Sequence, residues 1–450
     1  MMYDLVVKNG TIVDADRMYQ SDVCVKDGKI AAIVMSGQEL SAGEIVDAEG
    51  LYVFPGAVDA HMHIGEYQAD FEDMQTSTMA AAAGGVTTCI DMPLNLYSAS
   101  VVNADIFKRK QALLSSESYV DFCMWGALVP QNLDELKHLH EVGAVSFKSF
   151  LSGGGNDFYA PTMAEARRAL MIIQEFGGLA GFHCEDYSIV QYEKKRVLEH
   201  RIDGRQAFCD SRPLSAELIA VHGVVELARE TGASVHICHV SHPEVAAVIE
   251  QAQKKGVDIT AETCAHYLTF SEEDYLNKGC LFGCAPPLRE KEAREGLWEY
   301  VKKGVLGCIV SDHSPGMPEN RSDEHQPTYQ SGFGISGVQT MFQTVYDQGV
   351  NRRGCSPTLL AKALAETPAK RWGIFGKKGA VRTGFDADFV LLDPKLRWRV
   401  APEELFYKQK ISAFTGLQGR GKPVSTYIRG INVCRNGEIL VNKGFGEFVK

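Results

Sequence analysis

The chain has 450 residues, 45% apolar and 23% charged, a balance that suits a globular protein large enough for a barrel plus a smaller unit. Its net charge is −11, with no Lys/Arg-rich block, which argues against nucleic acid and against an anionic membrane surface as partners. The longest apolar stretches have strand length, short of the ~20 residues of a membrane span, and Met1-Met2-Tyr3-Asp4 lacks a basic segment before an apolar core, so a cytoplasmic protein is expected.

Residues 1–52 read as short β-runs (Leu5–Lys8, Thr11–Val13, Val23–Val25, Ile30–Val34) broken by the hairpin signals Asn9-Gly10 and Asp27-Gly28. From Val53 the pattern becomes strand–helix alternation. Eight strand runs are predicted: Val53–Ala60, Val86–Met92, Phe122–Leu128, Val145–Leu151, Leu179–Cys184, Ser234–Val240, Asp258–Cys264 and Leu306–Val310. Helical stretches between them include Thr162–Phe176, Leu214–Glu230, Pro243–Lys255 and Glu290–Val301; Leu218, Val221, Val225 and Ala228 share one face at helical spacing. After the helical stretch Ser356–Trp372, β-runs return at Asp388–Leu392, Ser425–Arg429 and Asn432–Cys434. The fold class expected is α/β: a (β/α)8 TIM barrel over residues 53–375, with a small β-sandwich from both chain ends, 1–52 and 376–450. The 12 cysteines fall mostly inside apolar runs and are expected to be reduced, buried thiols. Cys280 and Cys284 lack a second pair to complete a structural zinc site.

The chemistry-bearing residues cluster where the strand runs end. His61 and His63 sit at i and i+2 on the first strand and point to the same side. Lys148 lies within the fourth run, His183 and His239 close to the ends of the fifth and sixth, and Asp312 follows the eighth. In a parallel barrel all these ends open on one face. Neutral imidazole and carboxylate suit Zn²⁺, and also Mn²⁺, Co²⁺ or Ni²⁺. An ammonium cannot bind a cation, so Lys148 must be neutral there. A neutral lysine can add CO₂ and become a carbamate, able to bridge two metals ~3.5–4 Å apart.

In this order the set resembles the cyclic amidohydrolases, the family of dihydropyrimidinases, hydantoinases, dihydroorotases and allantoinases, over essentially the whole chain. Gly28-Lys29-Ile30 and Asp386-Ala387-Asp388-Phe389-Val390 look like that family's terminal sandwich. The resemblance implies two divalent metal ions, zinc first, with Mn²⁺, Co²⁺ or Ni²⁺ as alternatives. His61, His63 and Asp312 would hold one and His183 and His239 the other, with carboxylated Lys148 between them. It further implies hydrolysis of a small cyclic amide by hydroxide held between the metals, with Asp312 carrying the proton to the departing ring nitrogen. A homodimer or homotetramer is expected on the same ground.

Asp91-Met92-Pro93-Leu94-Asn95, Phe147-Lys148-Ser149-Phe150, Glu262 through Tyr267, Cys284 through Arg289 and Ser311 through Pro315 look like allantoinase motifs. Allantoin to allantoate is therefore the reaction expected first. The alternative is another hydantoin-like or dihydropyrimidine ring. Dihydropyrimidinases place a tyrosine soon after the bridging lysine; here Ser149 through Gly153 contains none, and Tyr159 lies further on. Asn95, Ala285 and Ser336 are the substrate-binding positions implied. One departure is Gly65 through Asp70, which lacks the Pro-Gly-Arg element usual after HxH in allantoinases and dihydroorotases, and so counts against dihydroorotate. A different class of reading is a noncatalytic barrel kept for protein association; stoichiometric metal would discriminate against it.

Neighbouring groups have plainer readings. His236 is expected to pack, His266 to line the pocket, and His313 to position a loop. Glu185-Asp186 reads as a helix N-terminus favouring carboxylates, and Gly153-Gly154-Gly155 as a lid rather than a phosphate loop.

Overall fold

The structure, a computed structural model, describes residues 2–65, 71–94, 100–155, 157–200, 204–321 and 333–450. Eight parallel strands follow one another in chain order: Ala57–Met62, Val86–Asp91, Asp121–Ala127, Ser146–Phe150, Leu179–His183, Ser234–Ile237, Ile259–Cys264 and Cys308–Val310. A parallel bridge between Met62 and His313 closes the seam between the first and the last. The (β/α)8 barrel expected from the alternation is the fold observed. The strands are buried nearly throughout, as a sheet covered on both faces requires.

The chain ends build two further sheets. A four-stranded sheet joins Lys29–Val34, Asp22–Lys26, Tyr3–Lys8 and Ala42–Asp47. A seven-stranded sheet runs from Glu438–Ile439 through Phe389–Arg399 and Tyr52–Pro55 to Met18–Gln20, mixing both termini. Leu5, Val25, Ile30, Val53, Phe389 and Tyr427 share one apolar core, with the Phe389 and Tyr427 rings stacked 4.6 Å apart.

The predicted run Val53–Ala60 is split in two. Tyr52–Pro55 pairs with Phe389–Arg399 in the terminal sheet, and the barrel strand starts at Ala57. Gly56 is the joint: a Cβ there would lie 2.2 Å from the Thr87 hydroxyl, so only glycine lets the two sheets approach so closely.

The helices start where the sequence signals them. Thr162 and Glu165 form a reciprocal capping box at the start of Met163–Glu175. Helix Leu214–Thr231 buries Ala220, Val221, Val224 and Ala228, with Leu218 and Val225 partly buried. The buried stripe is thus rotated slightly from the one read in the sequence. All 12 cysteines are buried and free of disulfides. Among the described residues, no helix is long and apolar enough to cross a membrane.

At the amino-terminal base of the barrel, Lys378 is 1% exposed and pairs with three carboxylates. Its Nζ lies 2.5 Å from Asp121, 2.7 Å from Asp388 and 3.0 Å from Asp386. Arg429 also contacts Asp121 and donates to the Phe445 carbonyl. This cluster ties the third barrel strand to the terminal sheet.

Candidate functional site

The carboxyl ends of the strands bring His61, His63, Lys148, His183, His239 and Asp312 to the barrel mouth, all at most 7% exposed. His61 Nε2 and His63 Nε2 each lie 3.3 Å from Asp312 Oδ1. Donor atoms of these three residues fall within 4.8 Å of one another. On the other side His183 Nδ1 faces His239 Nε2 at 3.1 Å, and the His61 and His239 rings are 5.3 Å apart. His239 and Asp312 adopt left-handed backbone, with φ 38° and 44°. For residues with a side chain this conformation is strained, and such strain gathers at functional sites.

Lys148 Nζ is buried without a hydrogen-bond partner, 4.7 Å above the Phe150 ring. A buried, unpaired ammonium is costly. Conversion to a carbamate would turn this orphaned donor into an acceptor among the imidazoles. Burial lowers the His61 pKa to about 4 and lowers those of His183 and His239 as well. Neutral imidazole, the form that binds metal, is therefore the resting form at pH 7. Burial opposes ionisation of the Asp312 carboxyl, but His61 and His63 outweigh it and hold the group well below the usual carboxylate range. The donor set thus fits divalent cations.

A further layer of carboxylates holds the imidazoles. Glu262, inside the seventh strand, contacts His61 Nδ1 and His236 Nε2 and accepts from the His239 amide. Glu185 accepts from His183 Nε2 at 2.6 Å and pairs with Arg212. The contacts to His61 and His183 occupy one ring nitrogen of each and leave the other facing the mouth. Asp59 accepts from the His61 and Ser311 amides, stapling the first strand to the eighth. Asp91 accepts from the Ile64 amide and pairs with buried Lys110 at 2.6 Å.

Several neighbouring readings are sharpened. Asp186 is a helix cap, accepting from the Ile189 amide, but Glu185 faces inward and orients His183. His236 packs on Trp372, 4.9 Å between rings, and anchors Glu262. His313 fixes the loop, accepting from the Gly337 amide. His266 is buried close to Asp312 and is absent from the cavity wall described next.

The mouth opens into a cavity of about 430 Å³, lined by His61, His63, His183, His239 and Asp312 together with Ala285, Phe71, Leu94, Phe150 and Phe333. That is within the range of small-molecule sites. Gly153, Gly154 and Gly155 form part of its rim. Ser336 lies off this wall, its carbonyl accepting from Ser412. Tyr159 is 59% exposed and lines an outer cleft, not the inner cavity. Asn95, and the divergent loop beyond Gly65, lie outside the described residues.

A parallel barrel with imidazoles and one carboxylate converging at its carboxyl mouth is the framework of a metal-dependent hydrolase. The chain belongs to the amidohydrolase family, whose model matches residues 52–433. It is 36% identical over 452 residues to an allantoinase of Rubrobacter xylanophilus, covering 100% of this chain and 98% of that one. It is 37% identical over 459 residues to an allantoinase of Bacillus velezensis, with the same coverage of 100% and 98%. Among solved structures it superposes on an L-hydantoinase (dihydropyrimidinase) from Arthrobacter aurescens with a TM-score of 0.96, at 32% identity and 99% coverage of both chains.

Proposed function

We propose that this protein hydrolyses a cyclic amide ring, allantoin to allantoate first. The observation that carries the reading is the buried convergence of His61, His63 and Asp312 beside the unpartnered Lys148. The full-length similarity to allantoinases supports the choice of ring.

His61, His63 and Asp312 would hold one divalent ion and His183 and His239 the other, with Lys148 carboxylated by CO₂ between them. Zinc suits these donors, and Mn²⁺, Co²⁺ and Ni²⁺ suit them also. Such ions, when bound, lower the pKa of water and polarise a carbonyl oxygen. Asp312, held ionised, accepts a proton at its carboxylate and returns it to the departing ring nitrogen as the C–N bond breaks. Glu262 and Glu185 keep His61 and His183 in one tautomer throughout. Ala285 offers backbone groups to the ring, and the Phe71, Leu94, Phe150 and Phe333 walls exclude water from it. Substrate roles for Asn95 and Ser336 belong to the same proposal. So do the division into 53–375 and 1–52 with 376–450, a cytoplasmic setting and a homodimer or homotetramer.

Ring opening of allantoin by protein loaded with Zn²⁺ or Mn²⁺ tests the reading, with hydantoin and dihydrouracil in parallel. Allantoate formation is expected. Turnover of only the other two rings would favour the second reading, a hydantoinase or dihydropyrimidinase, to which the close superposition on the Arthrobacter L-hydantoinase points. No turnover of any ring, with metal bound, would refute both.

A further inference from the structure

The cavity has a wall that the ring-opening chemistry does not use. Arg212 and Lys194 both line the cavity, and Lys194 also lines the outer cleft with Gly153 and Gly155. Arg212 is 4% exposed, and its Nε is buried without a hydrogen-bond partner. Glu185 pairs directly with Arg212. Lys194, on helix Tyr187–Glu199, makes no hydrogen bond or ion pair among the described residues. Burial and the nearby Arg212 pull its ammonium down to about 8, which leaves it charged at pH 7. Arg321 adds a third cation to the lining, reaching the Pro315 carbonyl. Beside Lys194 and Arg212, the only carboxylate lining the cavity among the described residues is Asp312.

Lys194 also stands where the cavity continues outward. Ser152, Gly153, Gly155 and Lys194 line both the inner cavity and the outer cleft that holds Tyr159 and Tyr187. A substituent on a bound ring has a path past the glycine rim, with Lys194 beside it.

We infer that Lys194 and Arg212 form a subsite for a carboxylate carried on the ring's exocyclic arm. Rings with an anionic arm are then a second substrate class, beside allantoin, whose ureido carbonyl offers this wall an acceptor but no charge. The inference rests on the ring-opening function proposed above and names what the ring carries.

The test compares hydantoin-5-acetate with its near-isosteric neutral amide, hydantoin-5-acetamide, using metal-loaded enzyme. A hydrogen-bonded ion pair in a part-buried site predicts a kcat/KM preference for the carboxylate of about tenfold or more. Lys194→Met should collapse that ratio to about twofold or less through the KM of the charged ring, and Lys194→Arg should retain most of it. Equal kcat/KM for the two rings, or a preference that survives Lys194→Met, would overturn the subsite while leaving ring opening intact. Failure to open any ring would remove the function and the subsite together.

Discussion

Of the three lysines buried among the described residues, Lys378 and Lys148 stand at opposite ends of the barrel, and their surroundings differ in kind. Lys378, at the base, is 1% exposed and has three carboxylates around its Nζ. Lys148, at the mouth, is 0% exposed, and its Nζ has no hydrogen-bond partner. A buried charge is tolerated when it is paired, so Lys378 is explained by the fold alone. Lys148 is not: the fold bears the cost of an unsatisfied group, which makes sense when another chemical state of that residue is the working one.

The contrast breaks most visibly in activity. Asp312→Asn should cut kcat by about 10²–10⁴-fold with an unchanged unfolding midpoint, and Lys148→Ala should in addition lose most bound metal. Metal analysis and turnover check both, and retained activity in either variant would place function elsewhere. At the base, Lys378→Met leaves buried Asp388 without its cation, and Asp121 and Asp386 with only Arg429 and Lys29, and should cost about 3–5 kcal/mol of stability. Urea unfolding measures this, with the turnover of whatever protein remains folded little changed. A destabilised Lys148→Ala beside an unaffected Lys378→Met would invert the comparison.

Acid should separate the two ends further. Burial lowers the folded-state pKa of His61 to about 4 from its ordinary 6.5. The unfolded chain takes up that proton first, so stability present above pH 6.5 is lost as pH falls towards 4, on the order of 3 kcal/mol from this residue. Over the same window Lys378 and Asp386 stay ionised, since pairing raises the pKa of one and lowers that of the other. Unfolding of metal-free protein against pH should show this slope, and His61→Asn should flatten it. The smallest expected effect is on the supporting layer: Glu262→Gln should weaken metal affinity by about 10–100-fold, read by chelator competition. An unchanged affinity would reduce Glu262 to packing.

The candidate ligands at the mouth were legible because they accompany apolar runs: His61, His63, His183, His239 and Asp312 fall close to where strands stop, and Lys148 is the one basic residue inside the strand Ser146–Phe150. The layer behind them was not. Glu262 touches His61 across 201 residues of chain, and no local pattern announces such a partner. The available signal was a carboxylate inside the strand run Ile259–Cys264, where a buried acid demands a counterpart. Glu185 was read as helix-terminal because Asp186 beside it is the cap; neighbours in sequence divided the two roles. The first barrel strand merged with the terminal sheet in the sequence pattern because apolar residues flank Pro55-Gly56 on both sides; that dipeptide was the available break signal, and the Thr87 contact shows why the break falls there. Lys194 escaped notice as one cation in a charged helix, since its position on the cavity wall depends on tertiary packing.

The staple between the first and eighth strands also sets a timetable. His61 and Ser311 lie 250 residues apart in sequence, and Asp59 joins them. A nascent chain carries His61 and His63 long before Asp312 is synthesised, so the complete ligand set is among the last things the chain can assemble. Because ligation then stabilises the finished barrel, tight metal uptake should certify a fully folded molecule, and truncated or stalled chains should be left without it.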